Sequence, residues 1–476
     1  MSDILSLDAT GQLSALEAGR ISAADLLEAT LDRRAAVNPA LNAVVATDLD
    51  AARRRAQAID EARAAGEHLG VLAGLPMTIK DTFDVAGLPA SSGVKALLGR
   101  TAKDAATVAR ARAEGAVIWG KTNVPVMAGD WQSYNDLHGT TNNPWDVTRT
   151  PGGSSGGAAA ALASGMTALE IGSDIGGSLR VPAAFSGVFS HKPTWGLVSQ
   201  RGHVPPRPGA LAERDLNVVG PMARSARDLR LLLSVLEDGP LAAKAPPAEL
   251  AGLKIGLWLD EPGFALDPEV KTVVEAFARA LGDFGCVVEL IRPVDGPALV
   301  EAYRLLLSAV LAQDMPPAVQ RSMARLRPFR GVLQALGQTA RAAQISAYTA
   351  THIEWLEANE TRARFAQHLR GVFERHDAII APIAPVTAFP HDHAPFDKRR
   401  LTQSDGRSIE YFAMLNWISV ATACGLPATA FPAGPAASGR PVGVQIIGPR
   451  GGDAKTLAIA QAIEEALGGF IAPPAL

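Results

Sequence analysis

The order of apolar and polar positions divides the chain into a short helical part and a longer part of mixed pattern. Ser22 precedes a run of good helix formers, and residues 50–65 are rich in Ala and Arg, so two helices are predicted within about the first 65 residues. Short apolar runs follow, such as 76–79 and 116–119, separated by glycine-rich turns and further helical patterns. Strands that alternate with helices are typical of a layered α/β fold with a largely buried sheet.

The second half of the chain changes pattern again near residue 250. The pattern predicts a strand at 254–258, a helix at 268–281, a strongly helical stretch at 297–375, apolar strands at 378–381 and 442–447, and a closing helix at 453–467. We therefore expect one domain over residues 1–476, in which a helix-rich segment at 245–375 interrupts an α/β core and shapes the substrate entrance.

Composition excludes several classes of function. Of the 476 residues 47% are hydrophobic and 20% charged, and the net charge of −3 favours neither nucleic acid nor an anionic membrane as partner. Cys286 and Cys424 both lie in apolar stretches, which predicts buried free thiols and no metal site. No export signal or apolar run of about 20 residues is visible, so a cytoplasmic location is expected.

Two clusters of glycine and serine stand out as candidate chemistry. Residues 151–157 read Pro-Gly-Gly-Ser-Ser-Gly-Gly, and Gly176-Gly177-Ser178 follows after an alanine-rich helix, so that Ser154 and Ser178 are 24 positions apart. Glycine costs backbone entropy on folding, so this density indicates a sharp turn or several N–H groups that point at one ligand.

A serine nucleophile needs a group that accepts its proton. His138, His191 and His203 are the histidines nearest the two clusters, and a structural role is the expectation for each. Lys80 directly follows the apolar run 76–79, where a strand ends. Burial lowers the pKa of a lysine, and the neutral amine can then act as a base.

Together these motifs resemble the amidase-signature family. The resemblance is carried by residues 75–81, 120–123, the two Gly/Ser clusters with Arg180, and 191–194; it extends from about residue 20 to 240 and is weaker beyond. It implies a central mixed β-sheet covered by helices on both faces. It also implies hydrolysis of a linear carbon–nitrogen amide bond without a metal or an organic cofactor.

The resemblance assigns a role to each matching position. It implies Ser178 as the nucleophile, Ser154 after a cis Gly153–Ser154 peptide bond as the bridging serine, Lys80 as the base, and the backbone amides of Ile175, Gly176, Gly177 and Ser178 as the oxyanion hole. Ser155 is expected to cap the following helix, Ser173 and Asp174 to hold the oxyanion loop, and Arg180 to pair with a carboxylate. By position Ala128 would contact substrate, with Met127 and Trp131 shaping the acyl side.

Two short motifs suggest other chemistry. Residues 115–122 match the phosphate-loop pattern G-x-x-x-x-G-K-[ST], but the four residues between the glycines read as an apolar strand. Residues 152–156 match the nucleophile-elbow pattern G-x-S-x-G, but the preceding residues are polar and end in Pro151. Neither motif has the context that its function requires.

The expected function is an amidase that cleaves an aryl or otherwise hydrophobic amide, or a carbamate. The partner expected is a small-molecule amide. A homodimer is also considered, and the sequence leaves the oligomeric state open. One alternative is the glutaminase subunit of a tRNA-dependent amidotransferase, although residues 200–206 depart from the pattern of that subunit. The others are an esterase with a Ser-His-acid triad and a non-enzymatic binding module.

Overall fold

The fold is built around two β-sheets that differ in size, and the computed structural model describes residues 4–239, 245–336 and 339–474. The strands are β1 (Val44–Thr47), β2 (Pro76–Lys80), β3 (Val117–Thr122), β4 (Tyr134–Asn135), β5 (Gly139–Thr140), β6 (Leu169–Asp174), β7 (Phe189–Lys192), β8 (Val218–Ala223), β9 (Lys254–Leu257), β10 (Val287–Leu290), β11 (Ala378–Pro382), β12 (Arg400–Thr402), β13 (Ser408–Glu410), β14 (Ala428–Pro435) and β15 (Pro441–Ile447).

Helices surround these sheets. They are α1 (Ala9–Glu17), α2 (Ala23–Leu41), α3 (Leu49–Ala64), α4 (Ala106–Ala113), α5 (Gly156–Ala163), α6 (Arg180–Ser186), α7 (Ala226–Leu236), α8 (Pro268–Asp283), α9 (Gly296–Ala312), α10 (Pro317–Leu326), α11 (Arg330–Ala335), α12 (Thr339–Tyr348), α13 (His352–Phe373), α14 (Met414–Ala423) and α15 (Asp453–Leu467).

The larger sheet has eight strands in the order β10-β9-β11-β15-β14-β7-β8-β6. The pairs β10/β9 and β9/β11 are parallel, and the remaining pairs are antiparallel, so the sheet is mixed. Its central strands are buried on both sides, which is why they read as short continuous apolar runs. The predicted α/β class with a central mixed sheet flanked by helices is confirmed.

The smaller sheet has the order β1-β3-β2, with β2 and β3 parallel. Strand β3 contains residues 117–119, three of the four between the two glycines of the phosphate-loop pattern, so that motif is a strand and not a phosphate cradle. Strand β2 lies against β6 of the larger sheet, where the Thr78 hydroxyl donates to Glu170 Oε1 at 2.6 Å. This contact places the end of β2 beside the end of β6.

Helix boundaries follow local capping chemistry. The Ser22 side chain accepts from the Asp25 amide at the start of α2, as predicted, and α15 spans the predicted residues 453–467. Thr351 and Glu354 form a reciprocal capping box at α13. Strand β10 was not predicted; it is a short, mostly exposed edge strand whose apolar residues are interrupted by Glu289. Cys286 and Cys424 are buried free thiols, as expected.

Candidate active site

Lys80 lies at the end of β2, fully buried, with three serine hydroxyls around its amine. Its Nζ is 2.8 Å from Ser154 Oγ, 2.8 Å from Ser155 Oγ and 2.9 Å from Ser173 Oγ. Ser154 and Ser155 come from the first Gly/Ser cluster, and Ser173 belongs to β6. The sequence motifs that lie up to 93 residues apart therefore meet at one nitrogen atom.

The burial of Lys80 favours its neutral amine. Burial lowers the pKa of Lys80 to about 7, and the charges of Asp174 and Glu170 act in the opposite direction. Burial in turn raises the pKa of Glu170 to about 7. A lysine that titrates near neutrality is deprotonated often enough to accept a proton, which an ordinary surface lysine is not.

The first Gly/Ser cluster brings its serines to Lys80 through a compact turn. The Gly153–Ser154 peptide bond is cis, as the resemblance implied. Helix α5 follows at once and is buried along its whole length, because its small residues let other backbone segments come close. A Cβ on Gly157 would collide with the backbone of Asn123. Ser155 stands at the N-cap position of this helix, as predicted, but its side chain makes no capping bond and contacts Lys80 instead.

The second cluster forms a loop between β6 and α6 that carries Ser178. Gly177 has φ +92°, a conformation that favours glycine. The Asp174 carboxylate accepts from the amides of Gly177 (2.8 Å) and Leu179 (3.2 Å) and pairs with Arg180, as predicted for both side chains. Ser178 is 6% exposed, and its carbonyl accepts from the Ser155 amide at 3.3 Å. The two clusters are thus joined directly.

Two side chains hold the outer carbonyls of this loop. Tyr303 on α9 donates its hydroxyl to the Ile175 carbonyl at 2.7 Å, and the Trp131 indole donates to the Gly176 carbonyl at 2.7 Å. With these carbonyls engaged, the amides of Ile175, Gly176 and Ser178 have no acceptor among the described residues. Three N–H groups of one short loop therefore remain available for an anion.

Comparison with known proteins agrees with this geometry. The family described as Amidase matches residues 25–457. The chain belongs to the amidase-signature family. It is 33% identical to the A subunit of the glutamyl-tRNA(Gln) amidotransferase from Symbiobacterium thermophilum, over 96% of both chains. As a member of this family the chain is an amide hydrolase.

Solved structures show the same relationship. A crystal structure of an amidase superimposes with a TM-score of 0.80 at 28% identity, and covers 96% of this chain and 99% of the other. A bacterial aryl acylamidase of the amidase-signature family superimposes with a TM-score of 0.79 at 26% identity, over 97% of this chain and 96% of the other.

Two of the three histidines near the clusters have structural contacts in this amidase-signature protein. His191 in β7 lies between Thr429 Oγ1 (2.9 Å) and Asp453 Oδ1 (3.1 Å). His138 is half-buried, and its Nε2 lies 3.5 Å from Ser91 Oγ. The expected structural role fits both. The third, His203, lies 2.8 Å from Ser173 Oγ and therefore touches the group around Lys80.

The residues predicted to contact substrate lie between Met127 and Trp131, and one of them is hydrogen-bonded to the loop that carries Ser178. Met127 and Ala128 have φ values of 51° and 55°, so the chain turns sharply here, and Val126 is 52% exposed. No hydrogen bond in the described ranges joins Met127 or Ala128 to the Ser178 loop, and their contact with substrate stays a prediction. Trp131 does reach the loop, through Gly176.

Trp131 is supported by a buried ion pair. Asp130 accepts from Arg399 Nη1 at 2.6 Å, from the Tyr411 hydroxyl at 2.6 Å and from the Trp131 amide at 2.7 Å. The Tyr411 ring also packs edge-on against Trp131, with centroids 5.3 Å apart. Asp130 and Arg399 thus neutralise each other. Sequence reasoning missed both of them and Tyr303, because no local motif links residues so far apart.

Other site classes find no support in the part of the chain that the structure describes. Residues 4–239, 245–336 and 339–474 contain no group of three His, Cys, Asp or Glu side chains arranged to hold a metal ion. Within the same ranges no helix combines the length and the apolar character needed to cross a bilayer.

Proposed function

We propose that this amide hydrolase works through a seryl acyl-enzyme, with Ser178 as nucleophile, Ser154 as proton bridge and Lys80 as base. The observation that carries the proposal is the buried Lys80 amine, which contacts Ser154 Oγ at 2.8 Å. Burial lowers the pKa of Lys80 to about 7, which supports its role as a base. A serine is activated only when a base accepts its proton. The Ser178 loop is bonded to the Ser154–Ser155 turn, which supports proton transfer between the two.

The reaction follows from these groups. As Ser178 Oγ attacks the amide carbon, its proton passes to Ser154, and the proton of Ser154 passes to Lys80 Nζ. The tetrahedral intermediate collapses when the proton returns by the same route to the leaving nitrogen, so that the amine departs and an ester remains on Ser178. Water then attacks this ester with the same relay and releases the carboxylic acid.

The oxyanion is proposed to bind the amides of Ile175, Gly176 and Ser178. The sequence expectation also included Gly177, but the Gly177 amide donates to Asp174 at 2.8 Å and is better suited to hold the loop. A well-placed donor contributes roughly 3–4 kcal/mol to the transition state in sites of this kind.

The observations point to two different substrates. The curated relatives are amidotransferase A subunits, which supports a glutaminase role with a partner chain more strongly than the aryl amide expected from the sequence. The aryl acylamidase among the structural neighbours supports the aryl amide. So does the region around Trp131, where the charges of Asp130 and Arg399 already neutralise each other and leave none for the ends of a free amino acid.

A panel assay tests the proposal. The purified chain is supplied with L-glutamine, benzamide, 4-nitroacetanilide and phenyl carbamate, and the released amine or ammonia and any acyl adduct on Ser178 are measured. We expect hydrolysis by the parent and near-complete loss in Ser178→Ala, Ser154→Ala and Lys80→Ala. The matched control is Ser164→Ala, a serine near the far end of α5. Parent-like rates in all three site variants would show that the relay is assigned wrongly.

The substrate question has its own outcome. Hydrolysis of an aryl amide by the chain alone, with glutamine inert, supports a free-standing amidase. Ammonia release from glutamine that rises when the remaining subunits of an amidotransferase are added supports the glutaminase role.

A further inference from the structure

His203 lies one contact beyond the serines around Lys80. It is buried, and its Nε2 lies 2.8 Å from Ser173 Oγ, the same oxygen that is 2.9 Å from Lys80 Nζ. Its other ring nitrogen, Nδ1, lies 2.5 Å from the carbonyl oxygen of Pro205. No step of the proposed reaction has used this ring.

These two contacts determine the tautomer of His203. A carbonyl oxygen has no proton to donate, so Nδ1 must carry the ring proton. Burial and the charge of Lys80 lower the pKa of His203 to about 3, so the ring is neutral at neutral pH and its Nε2 is an acceptor. The hydroxyl proton of Ser173 therefore points to His203, and Ser173 Oγ can only accept from Lys80.

Ser155 is restricted in a similar way. Its hydroxyl donates to the Ser173 carbonyl over a long 3.5 Å contact, so its oxygen also accepts from Lys80. A neutral amine has two N–H groups and one lone pair. With Ser173 and Ser155 accepting from the two N–H groups, the lone pair of Lys80 faces the hydroxyl of Ser154.

We propose that His203 is a positioning residue: by holding the proton of Ser173 it directs the lone pair of Lys80 toward Ser154, and so sets the direction in which the proton leaves Ser178. This inference rests on the proposed function. His203 itself neither gains nor loses a proton. After transfer, the ammonium of Lys80 donates to all three serine oxygens, so the same three contacts serve both charge states and little rearrangement accompanies the step.

Two substitutions separate hydrogen bonding from packing. In His203→Leu the Ser173 hydroxyl is free to turn toward Lys80 and compete with Ser154 for the lone pair. We expect kcat to fall roughly 10- to 100-fold with KM little changed, because a misdirected lone pair loses part of the roughly 10²- to 10⁴-fold that a positioned base contributes. In His203→Gln the carboxamide can donate to Pro205 and accept from Ser173, so kcat should stay within about fivefold of the parent, the effect of one imperfect hydrogen bond.

The measurements are kcat and KM for the panel amide that is hydrolysed fastest, and the rate at which phenylmethylsulfonyl fluoride sulfonylates Ser178, which requires the same loss of the serine proton. Circular dichroism and Tm establish that each variant is folded. If His203→Leu does not fold, His203→Met replaces it, because methionine fills a similar volume and its sulfur is only a weak acceptor.

A double variant and the pH profile complete the test. His203→Leu/Ser173→Ala should be no slower than His203→Leu alone, because the competing hydroxyl has been removed. The acid limb of kcat should stay near pH 7 in His203→Gln, since Lys80 and not His203 titrates there. The inference would be overturned if the loss of kcat in the double variant equalled the product of the losses in His203→Leu and in Ser173→Ala. An acid limb that vanishes in both single variants would also overturn it, since His203 would then be the base.

The inference and the proposed function fail in different ways. If Ser178→Ala keeps the parent rate, the proposed function is wrong regardless of His203. If Ser178→Ala is inactive while His203→Leu matches the parent in both kcat and sulfonylation rate, only the role of His203 is overturned.

Discussion

At the scale of single residues, the site depends on how one amine is solvated. Lys80 has exchanged water for three hydroxyl oxygens, which stabilise an ammonium less than bulk water does. Lys192 shows that burial alone does not make a base: burial lowers its pKa to about 7 as well, but its Nζ donates to the carbonyls of Pro193 and Leu426. A carbonyl has no proton to give, whereas Ser154 does.

The pH dependence of the reaction follows from this difference. Because Lys80 must be neutral to accept a proton and its pKa is about 7, kcat should fall as pH decreases below 7 and reach a plateau above about pH 8. The measurement is kcat between pH 5.5 and 9 with the best panel amide. The exposed-lysine variant Lys271→Ala should give the parent profile. A rate that is flat across pH 7 would contradict the role of Lys80.

At the scale of elements, the helix-rich segment contacts the loop proposed to bind the oxyanion. Helix α9 supplies Tyr303, whose hydroxyl donates to the Ile175 carbonyl. Trp131, from the first half of the chain, donates its indole N–H to the Gly176 carbonyl. Because each peptide plane joins a carbonyl to the following amide, holding the carbonyls of residues 175 and 176 orients the amides of residues 176 and 177. The segment at 245–375 thus reaches the loop that carries Ser178, the proposed nucleophile.

Removal of the Tyr303 hydroxyl tests this coupling. We expect Tyr303→Phe to lower kcat by about fivefold, because the lost hydrogen bond to the Ile175 carbonyl no longer orients the Gly176 amide, at a cost of roughly 1 kcal/mol. KM should change less than kcat, because the amide acts mainly on the developing oxyanion. Tyr348→Phe, on α12, is the matched control. Equal kcat values for both variants would show that the tyrosine is not needed to orient the loop.

At the scale of the whole molecule, the site forms where the two sheets meet. Strand β2 brings Lys80, strand β6 brings Ser173, and the contact of Thr78 with Glu170 joins the strands below them. Glu170 is buried, so its carboxyl is held partly protonated at neutral pH. Because the charge of Glu170 also raises the pKa of Lys80, we expect Glu170 to link the pH dependence of stability to that of catalysis.

The variant Glu170→Gln should show that link. Burial raises the pKa of Glu170 from 4.5 to about 7, so its contribution to stability is fully present below about pH 4.5 and is lost as pH rises through 7. A glutamine has no charge to bury, so at pH 8.5 the variant should have a higher Tm than the parent. Its free energy of unfolding should be larger by up to about 3 kcal/mol there, and the two proteins should differ little at pH 5.

The same variant has a second readout. The charge of Glu170 raises the pKa of Lys80, so its removal should move the acid limb of kcat to lower pH. Glu67→Gln, at an exposed position, is the control for both measurements. If the Tm difference between Glu170→Gln and the parent were the same at pH 5 and at pH 8.5, the raised pKa of Glu170 would be contradicted.

The sequence by itself determined the local chemistry and the class of the fold. Capping at Ser22, the apolar run before Lys80 and the glycines around Ser154 and Ser178 depend on neighbouring residues, and neighbours are readable along the chain. The two Gly/Ser clusters and the strand-end lysine marked candidate residues, and the resemblance to one family then implied Ser178, Ser154 and Lys80 as the proposed relay. The amide-hydrolase chemistry followed from their resemblance to one family.

Only the tertiary structure decided what surrounds these residues. It directed the Ser155 side chain to Lys80 and not to the amides of α5, engaged the Gly177 amide with Asp174, and brought Tyr303 and His203 to the site. The contacts of His203, Ser155 and Tyr303 join segments 30 to 128 residues apart, so no local pattern encodes them. The contact of Gly177 with Asp174 is local and depends on how the folded loop turns. The pKa of Lys80 has the same origin, because burial is a property of the packed molecule and not of the strand that carries the lysine.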